Sequence, residues 1–294
     1  MIGVVVPTIR EESYDEFLKA WEPLFTKYKV ELITIWDTKP LLVHNNNTFD
    51  VQAIMGEDSD LIYNKSDVVR NLGFAYIAKY LPKVEYIVTL DDDTKPVGDT
   101  MADHIRALNM RVPVSWMNTY TQYMRGFPYN IRLEAPVMLS HGVWDGVRDW
   151  DAPTQLVLGN RPTEAYKGVI PKGVMYPMCG MNIAFKREML PYMYYAPMGP
   201  RVGLDRFGDI WLGIESKKIL DDKGWAVVSG YAKVLHDRAS NVWKNLQKES
   251  VGLEMNENYG QGEYFKLYER QRKRWEKLIL SSQQTLPPTT NSPA

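Results

Sequence analysis

The chain has 294 residues, 45% of them hydrophobic and 24% charged, with a formal net charge of -1. That length and balance allow a full core and suit one large α/β domain or a domain with an elaborated C-terminal part. The near-zero charge gives no global field for nucleic acid, no apolar run approaches the roughly 18 residues a bilayer span needs, and the single Cys179 excludes an internal disulfide and any multi-cysteine metal site. The N-terminus "MIGVVVPTIR" runs into a strand-like segment without a signal-peptide pattern, so the cytoplasm is the expected compartment and the sequons at Asn46 and Asn64 carry no meaning.

In chain order, residues 2–6, 30–36 and 85–90 are continuous apolar runs and are predicted as buried strands. Amphipathic helix patterns fall near 13–27, 67–80 and 99–109, and this alternation predicts a mostly parallel sheet with helices on both faces. From about 112 to 208 the chain is irregular, rich in Pro, Gly and aromatics. A helix near 208–222, a strand near 225–229 and a long helix near 262–281 follow, with 282–294 expected as a disordered tail. On the last helix, Arg270, Arg272, Lys273 and Arg274 alternate with Phe265, Tyr268, Trp275 and Leu278, the pattern of a solvated face opposite a packed one. There is no internal repeat, and "GQGEYF" at 260–265 lacks the last glycine of a dinucleotide fingerprint.

In an open α/β sheet, ligands bind beyond the carboxyl ends of the strands. Three polar clusters lie at such ends: "PTIREE" after the first strand, "WDTKP" after the second and "LDDDTKP" after the third. Oxygen-rich clusters of this kind suit a hard divalent cation, Mg²⁺ or Mn²⁺, which keeps waters and bridges to substrate phosphates. An acidic triplet also serves as a helix cap or surface turn, and the triplet alone leaves both readings open.

The stretches "VVPTIR" (5–10), "LDDDTKP" (90–96), "RGFPYNIR" (125–132), "SHGVWDGVRDWDAPTQL" (140–156), "IPKGVMYPMCGMNIAF" (170–185), "RFGDIWLG" (206–213) and "HDRASNVWKNLQKE" (236–249) carry a resemblance. In order and rough spacing, over some nine-tenths of the chain, they are similar to the plant reversibly glycosylated polypeptides, the UDP-arabinopyranose mutases. The resemblance implies a GT-A glycosyltransferase-like α/β fold, a Rossmann-like mixed sheet flanked by helices with a C-terminal helical extension. The expected organisation is one catalytic domain over 1–281, with a nucleotide-binding half to about 111, a sugar-binding half over about 112–250 and a C-terminal helix over about 262–281.

By the same resemblance, Asp91 orients the ribose or a metal-bound water, and Asp93 ligates the cation that bridges the diphosphate. Asp91 is a second metal candidate, and Asp92, between them, is expected to face the other way because side chains alternate along an extended strand. His236 taken alone is better read as a packed or capped histidine; the resemblance makes it the metal ligand from the C-terminal half. Thr8, Arg10 and Asp37 are expected at the uridine end, with Asp92 among the nucleotide-binding residues and Arg70 near the diphosphate.

In the plant family, the arginine matching Arg125 is the site of reversible glycosylation, and the one matching Arg132 is needed for activity. A guanidinium with pKa above about 12 is a poor nucleophile without a carboxylate beside it. Yet a sugar held through nitrogen opens by way of an iminium, which pyranose–furanose exchange can use. The competing role for Arg125 is a bidentate clamp on the departing diphosphate. Asp209 is the expected sugar-facing carboxylate; plant members usually have a second acid where this chain has Gly208, and Asp205 is close enough in sequence to substitute. Asp149 and Asp151 are further candidates. Trp144, Trp150 and Trp211 are read either as sugar- or uracil-stacking rings or as core.

The expected activity is a UDP-sugar mutase, with UDP-arabinopyranose as favoured substrate, Mn²⁺ or Mg²⁺ as cofactor and transient self-glycosylation. The expected partners are the UDP-sugar and, as in the plant family, further copies or homologues in an oligomer, with no nucleic acid and no membrane span. Two other readings stay open: a metal-dependent glycosyltransferase using an external acceptor, and a self-glycosylated scaffold subunit.

Overall fold

The structure, a computed structural model, describes residues 1–116, 125–147, 149–159, 164–236 and 241–284. The chain opens with β1 (Ile2–Thr8), α1 (Glu11–Tyr28), β2 (Glu31–Trp36), β3 (Leu42–His44), β4 (Thr48–Asp50) and α2 (Val51–Met55). It continues through α3 (Arg70–Tyr80), β5 (Tyr86–Leu90), β6 (Thr94–Pro96), α4 (Thr100–Leu108), β7 (Arg111–Val112) and the long β8 (Ala135–Gly146). The last part is α5 (Ala152–Leu158), β9 (Gly168–Ile170), β10 (Asn182–Lys186), α6 (Gly208–Asp222), β11 (Ala226–His236), α7 (Val242–Glu257) and α8 (Gly262–Gln284).

The strands form one sheet in the order β4-β3-β2-β1-β5-β10-β8-β11-β6. It is mixed, not mostly parallel: β1 pairs in parallel with β2 and β5, and β8 with β11, whereas β10 runs antiparallel to both β5 and β8. The alternation of runs and helices up to residue 111 gave no sign of this, because β8 and β10 lie in the stretch that looked irregular. The carboxyl ends of β1, β2, β5, β8 and β11 share one end of the sheet.

Apolar side chains fill both faces of the sheet. On one face α1 buries Phe17 and Trp21, and the Trp21 indole donates to Thr94 O at 2.9 Å. On the other, α3 is buried from Arg70 to Ala78, wedged between the sheet and α8. α8 buries Phe265, Tyr268, Trp275 and Ile279, and its basic face pairs outward, Arg274 with Asp58 and Asp60 and Arg272 with Glu215. The helix runs through Gln284, a few residues beyond the expected boundary, and the rest of the tail lies outside the described residues. Helix α7, which the sequence reading did not identify, is capped by the Asn241 side chain accepting from Lys244 N.

The close approach of α3 to the sheet depends on Gly73. A Cβ there would lie 2.6 Å from Val5 Cγ1 and 3.1 Å from Ile35 Cδ1. Because a strand valine has little rotamer freedom, Gly73→Ala must move α3 off β1. The overpacking cost of about 1–3 kcal/mol outweighs the roughly 1 kcal/mol that alanine gains over glycine in a helix. Chemical denaturation should therefore show a net loss, of up to about 2 kcal/mol.

Candidate active site

The acidic triplet sits where β5 ends, and each carboxylate takes a different partner. Asp92 is buried and turned inward, accepting from the Thr8 hydroxyl at 2.6 Å and from the Arg10 guanidinium. This ties the end of β5 to the end of β1 and leaves Thr8 and Asp92 buried. Arg10 keeps a face one-third exposed, reaches Asp93 at 3.4 Å and lines an open cleft of about 600 Å³ with Ser13, Trp36 and Thr38. Asp37 is not in that lining. Its Oδ2 accepts from Lys65 N at 2.5 Å, its Oδ1 is buried with no hydrogen-bond partner among the described residues, and burial pushes the carboxyl up.

Asp91 meets Arg70. Arg70 is fully buried, and its donors are all directed at the protein: Nε to Thr89 Oγ1 at 2.7 Å, Nη1 to Asp67 O at 3.1 Å, and Nη2 to Asp91. The Asp67 carboxylate lies 3.7 Å from Nη1. Arg70, expected near the diphosphate, is a buried brace whose donors face Thr89, Asp67 and Asp91. Burial opposes its charged form, but Asp91, then Tyr195 and Asp67, raise its pKa above the ordinary guanidinium value.

Asp93 faces His236, with Oδ1 3.8 Å from Nε2. The Val147 carbonyl lies 3.2 Å from His236 Nδ1 and takes its hydrogen, which leaves an Nε2 lone pair toward the carboxylate. Asp93, which also meets Arg10 at 3.4 Å, and His236 thus present a carboxylate oxygen and an imidazole nitrogen toward each other, a donor pair of the kind a hard divalent ion accepts. A hard divalent ion with bonds of about 2.1 Å can be shared at that separation, and a ligating histidine held by a carbonyl is the usual arrangement. Asp91 does not join them, and among the described residues no three His, Cys, Asp or Glu side chains gather around one point. The donor set that fits a cation is therefore Asp93 and His236. Burial and the neighbouring Asp91 push Asp93 up to about 6.

Asp209 opens α6 beside the same cluster. Its carboxylate accepts from Gly180 N at 2.7 Å and from its own neighbour Ile210 N at 2.9 Å, and burial, then Asp67, then Asp149 push it far above the ordinary range. The turn it holds is held again from the other side. Cys179 N donates to His141 Nε2 at 3.1 Å, so the ring's hydrogen is on Nδ1, 2.8 Å from the Tyr176 hydroxyl, and burial lowers His141 to about 4 and keeps it neutral.

Several expectations change. Asp205 does not stand beside Asp209 as a second acid; it pairs with Lys248 at 2.9 Å. Position 208 has no room for a side chain, since a Cβ would lie 2.6 Å from Val68 Cγ1. Asp151 caps α5, accepting from Thr154 N, while Asp149 is exposed with Cys179 as its neighbour. Trp211 is core, fully buried among Phe207, Tyr264 and Phe265; Trp144 and Trp150 are half-buried.

The two arginines lie elsewhere. Ile183 pairs with Thr89 on one side and with His141 on the other, so His141 is level with the end of β5. Ala135, the first residue of β8, is six residues back, about 20 Å toward the opposite end of the sheet. Arg132 comes three residues earlier still, its guanidinium 3.8 Å over the Tyr129 ring and donating to Phe127 O. Arg125 is exposed in a turn, with no ion-pair partner among the described residues.

Sequence reasoning missed Asp67 and Tyr195. Asp67 had a readable signal, an Asp–Arg pair three apart at a helix start. Tyr195, in the aromatic run "PYMYYAP", had none.

The family described as "Reversibly glycosylated polypeptide" matches residues 1–267, and the chain belongs to it. UDP-arabinopyranose mutase 3 of Arabidopsis thaliana is 34% identical over 279 residues, covering 86% of this chain and 74% of that protein. The probable UDP-arabinopyranose mutase 4 of the same plant is 35% identical over 286 residues (87% and 75%), and the probable UDP-arabinopyranose mutase 1 of Pisum sativum 33% over 279 (86% and 74%). Among solved structures, the catalytic domain of Drosophila beta1,4galactosyltransferase 7 aligns with a TM-score of 0.38 at 11% identity, over 84% of this chain and 79% of that one.

The cluster makes a pH prediction. Although about one-third of its side chain stays exposed, desolvation of the rest pushes Asp67 up to about 6, against the opposing pull of Arg70. A carboxyl raised above its unfolded value near 3.8 contributes stability below that value and loses it as pH rises through the folded value. With a chelator present, the melting temperature should fall as pH rises from 5 to 7.5. Asp67→Asn should make the fall shallower; an equal slope in both proteins would show that Asp67 is not the titrating group.

Proposed function

We propose that this chain interconverts the pyranose and furanose forms of a UDP-sugar, with UDP-arabinopyranose as the favoured substrate. The observation that carries the reading is the end of β5 in a chain of this family: three adjacent carboxylates, one toward Arg70, one braced by Thr8 and Arg10, and one facing His236 across a gap that suits a cation. The cleft between the ends of β1 and β2 takes the uridine. A volume of about 600 Å³ is adequate for a nucleoside, and Trp36 and Arg10 supply an aromatic and a cationic surface.

Asp93 and His236 hold Mn²⁺ or Mg²⁺ in this reading, and Asp91 faces the ribose or a water. When bound, the cation neutralises the diphosphate charge that grows as UDP departs. Arg10 adds a fixed positive charge at the same place. Asp209 receives the sugar hydroxyls, its orientation set by Gly180 and Ile210.

Self-glycosylation is assigned to Arg125, whose exposure supports access to it. No carboxylate pairs with it among the described residues, so a nucleophilic role requires the 125–134 segment to meet an acidic group, while Arg132 stays with Tyr129 and holds the loop. The same reading keeps the protein in the cytoplasm; among the described residues no helix is long and apolar enough to cross a membrane.

Two measurements test this. Incubation with UDP-arabinopyranose and Mn²⁺, without an acceptor, should yield a UDP-furanose by chromatography and reach the same mixture from either side. Transfer of label only to an added sugar would replace the mutase with a glycosyltransferase. UDP affinity by calorimetry should fall at least about tenfold in a chelator and return with Mn²⁺, and equal affinity under both conditions would remove the metal. Arg125→Lys should abolish any glycosyl adduct seen by intact-mass spectrometry.

A further inference from the structure

The acidic cluster contains a group that its own hydrogen bonds do not explain. Tyr195 is fully buried, yet its hydroxyl has no hydrogen-bond partner among the described residues. Its backbone is pinned by Asn71, which donates to Tyr195 O and accepts from Tyr195 N, and the Arg70 guanidinium lies 5.6 Å over its ring. At Gly180 a Cβ would lie 2.9 Å from the Tyr195 hydroxyl and 3.3 Å from Asp209 Cβ, so hydroxyl and carboxylate flank the same glycine. A buried hydroxyl aimed into a cluster and left open is a position that a ligand's own donor or acceptor can complete.

Asp67 stands on the other side of Arg70. Its carboxylate is about one-third exposed, whereas Arg70 is not. The turn that carries it packs on the start of α6, where Gly208 lies against Val68. Contact runs from Asp67 through Arg70 to the Tyr195 ring, and from the Tyr195 hydroxyl across Gly180 to Asp209, so both carboxyl groups belong to one connected cluster.

We propose that Asp67 and Asp209 are the acid–base pair that exchanges the two ring oxygens at the sugar's C1, with the Tyr195 hydroxyl holding the sugar beside them. This rests on reading the cluster as the sugar end of the site. In the exchange the C1–phosphate bond breaks as UDP departs and re-forms when UDP returns; between these, the C1–O5 bond breaks, a C1–O4 bond forms, and one proton moves from O4 to O5, with no net change in protons or electrons. One carboxylate takes the proton from the attacking O4 hydroxyl while the protonated partner gives one to O5. The reverse reaction uses the same pair with the roles exchanged. Arg70 fixes the Asp67 end, and the Gly180 and Ile210 amides fix the Asp209 end.

The test is steady-state kinetics on the full chain with UDP-arabinopyranose and Mn²⁺, alongside calorimetry with UDP and thermal melting. Asp67→Asn should lower kcat at least about 100-fold, in the range of a lost general acid or base, with KM and UDP affinity within about threefold. Asp67→Glu keeps the charge, displaces the carboxyl and should lose about tenfold in kcat with the fold intact. Tyr195→Phe should raise KM for the UDP-sugar about tenfold and leave UDP affinity unchanged. It should not lower the melting temperature, because the hydroxyl it removes has no partner to lose.

If Asp67→Asn and Asp67→Glu both stay within threefold of wild type in kcat while Asp91→Asn and Asp209→Asn lose activity, the pair is overturned and the site stands. If Asp67→Asn fails to fold, a wild-type kcat in Asp67→Glu overturns it equally. Equal weakening of UDP and UDP-sugar by Tyr195→Phe overturns the hydroxyl's role. Full activity in Asp91→Asn and Asp209→Asn sinks the reading of the site itself.

Discussion

The site is organised around a guanidinium that does not reach solvent. Arg70 begins α3, and from there it binds Thr89 on the central strand, Asp91 at that strand's end and Asp67 in the turn before its own helix. Burying such a charge is tolerable only because its donors are satisfied and two carboxylates oppose it; removing one member of a buried set of this kind typically costs about 3–5 kcal/mol. The stability of α3 and the geometry of the acidic end are therefore one constraint. The small glycine contact at Gly73 brings the helix close enough to β1 for Arg70 to reach Thr89.

The second organising pair is Asp92 with Arg10 and Thr8. It uses the middle carboxylate of the triplet to lock β1 to β5, while the same guanidinium also reaches Asp93 and Asp91 turns to Arg70. Three adjacent like charges are thus separated into three environments: a buried brace, a guanidinium pair and a carboxylate facing an imidazole. Repulsion that would be costly in a simple turn is offset residue by residue, which is why the triplet can end an apolar strand.

Much of this was legible in the sequence. The three apolar runs, the helices around them and the strand-end location of "DDD" followed from periodicity, because those elements are buried in the ordinary way. β8 and β10 were not, because Pro, Gly and aromatic residues break the pattern around them, and without them the sheet looked mostly parallel. Residue contacts were harder. Asp92 was expected to turn away and does; Asp205 was expected near Asp209 and instead reaches α7, since its side chain follows the turn before α6 outward to Lys248. Tyr195 could not be found from sequence, because a missing hydrogen bond is a property of three dimensions only. The register of β8 puts Arg132 at the far end of the sheet, and no local pattern encodes that distance.

The long C-terminal helix gives the family boundary a physical meaning. The family match ends at residue 267, within α8. Beyond that point Gln271 donates to the Tyr63 hydroxyl at 2.7 Å, Trp275 donates to Leu190 O at 3.0 Å and Ile279 is fully buried. Immediately past the boundary, Tyr268 donates to Tyr194 O at 3.1 Å. These contacts clamp the chain a few residues before Asp67 and immediately before Tyr195. A chain cut at the family boundary would keep every acidic residue of the site and lose the splint that holds two of its walls in place.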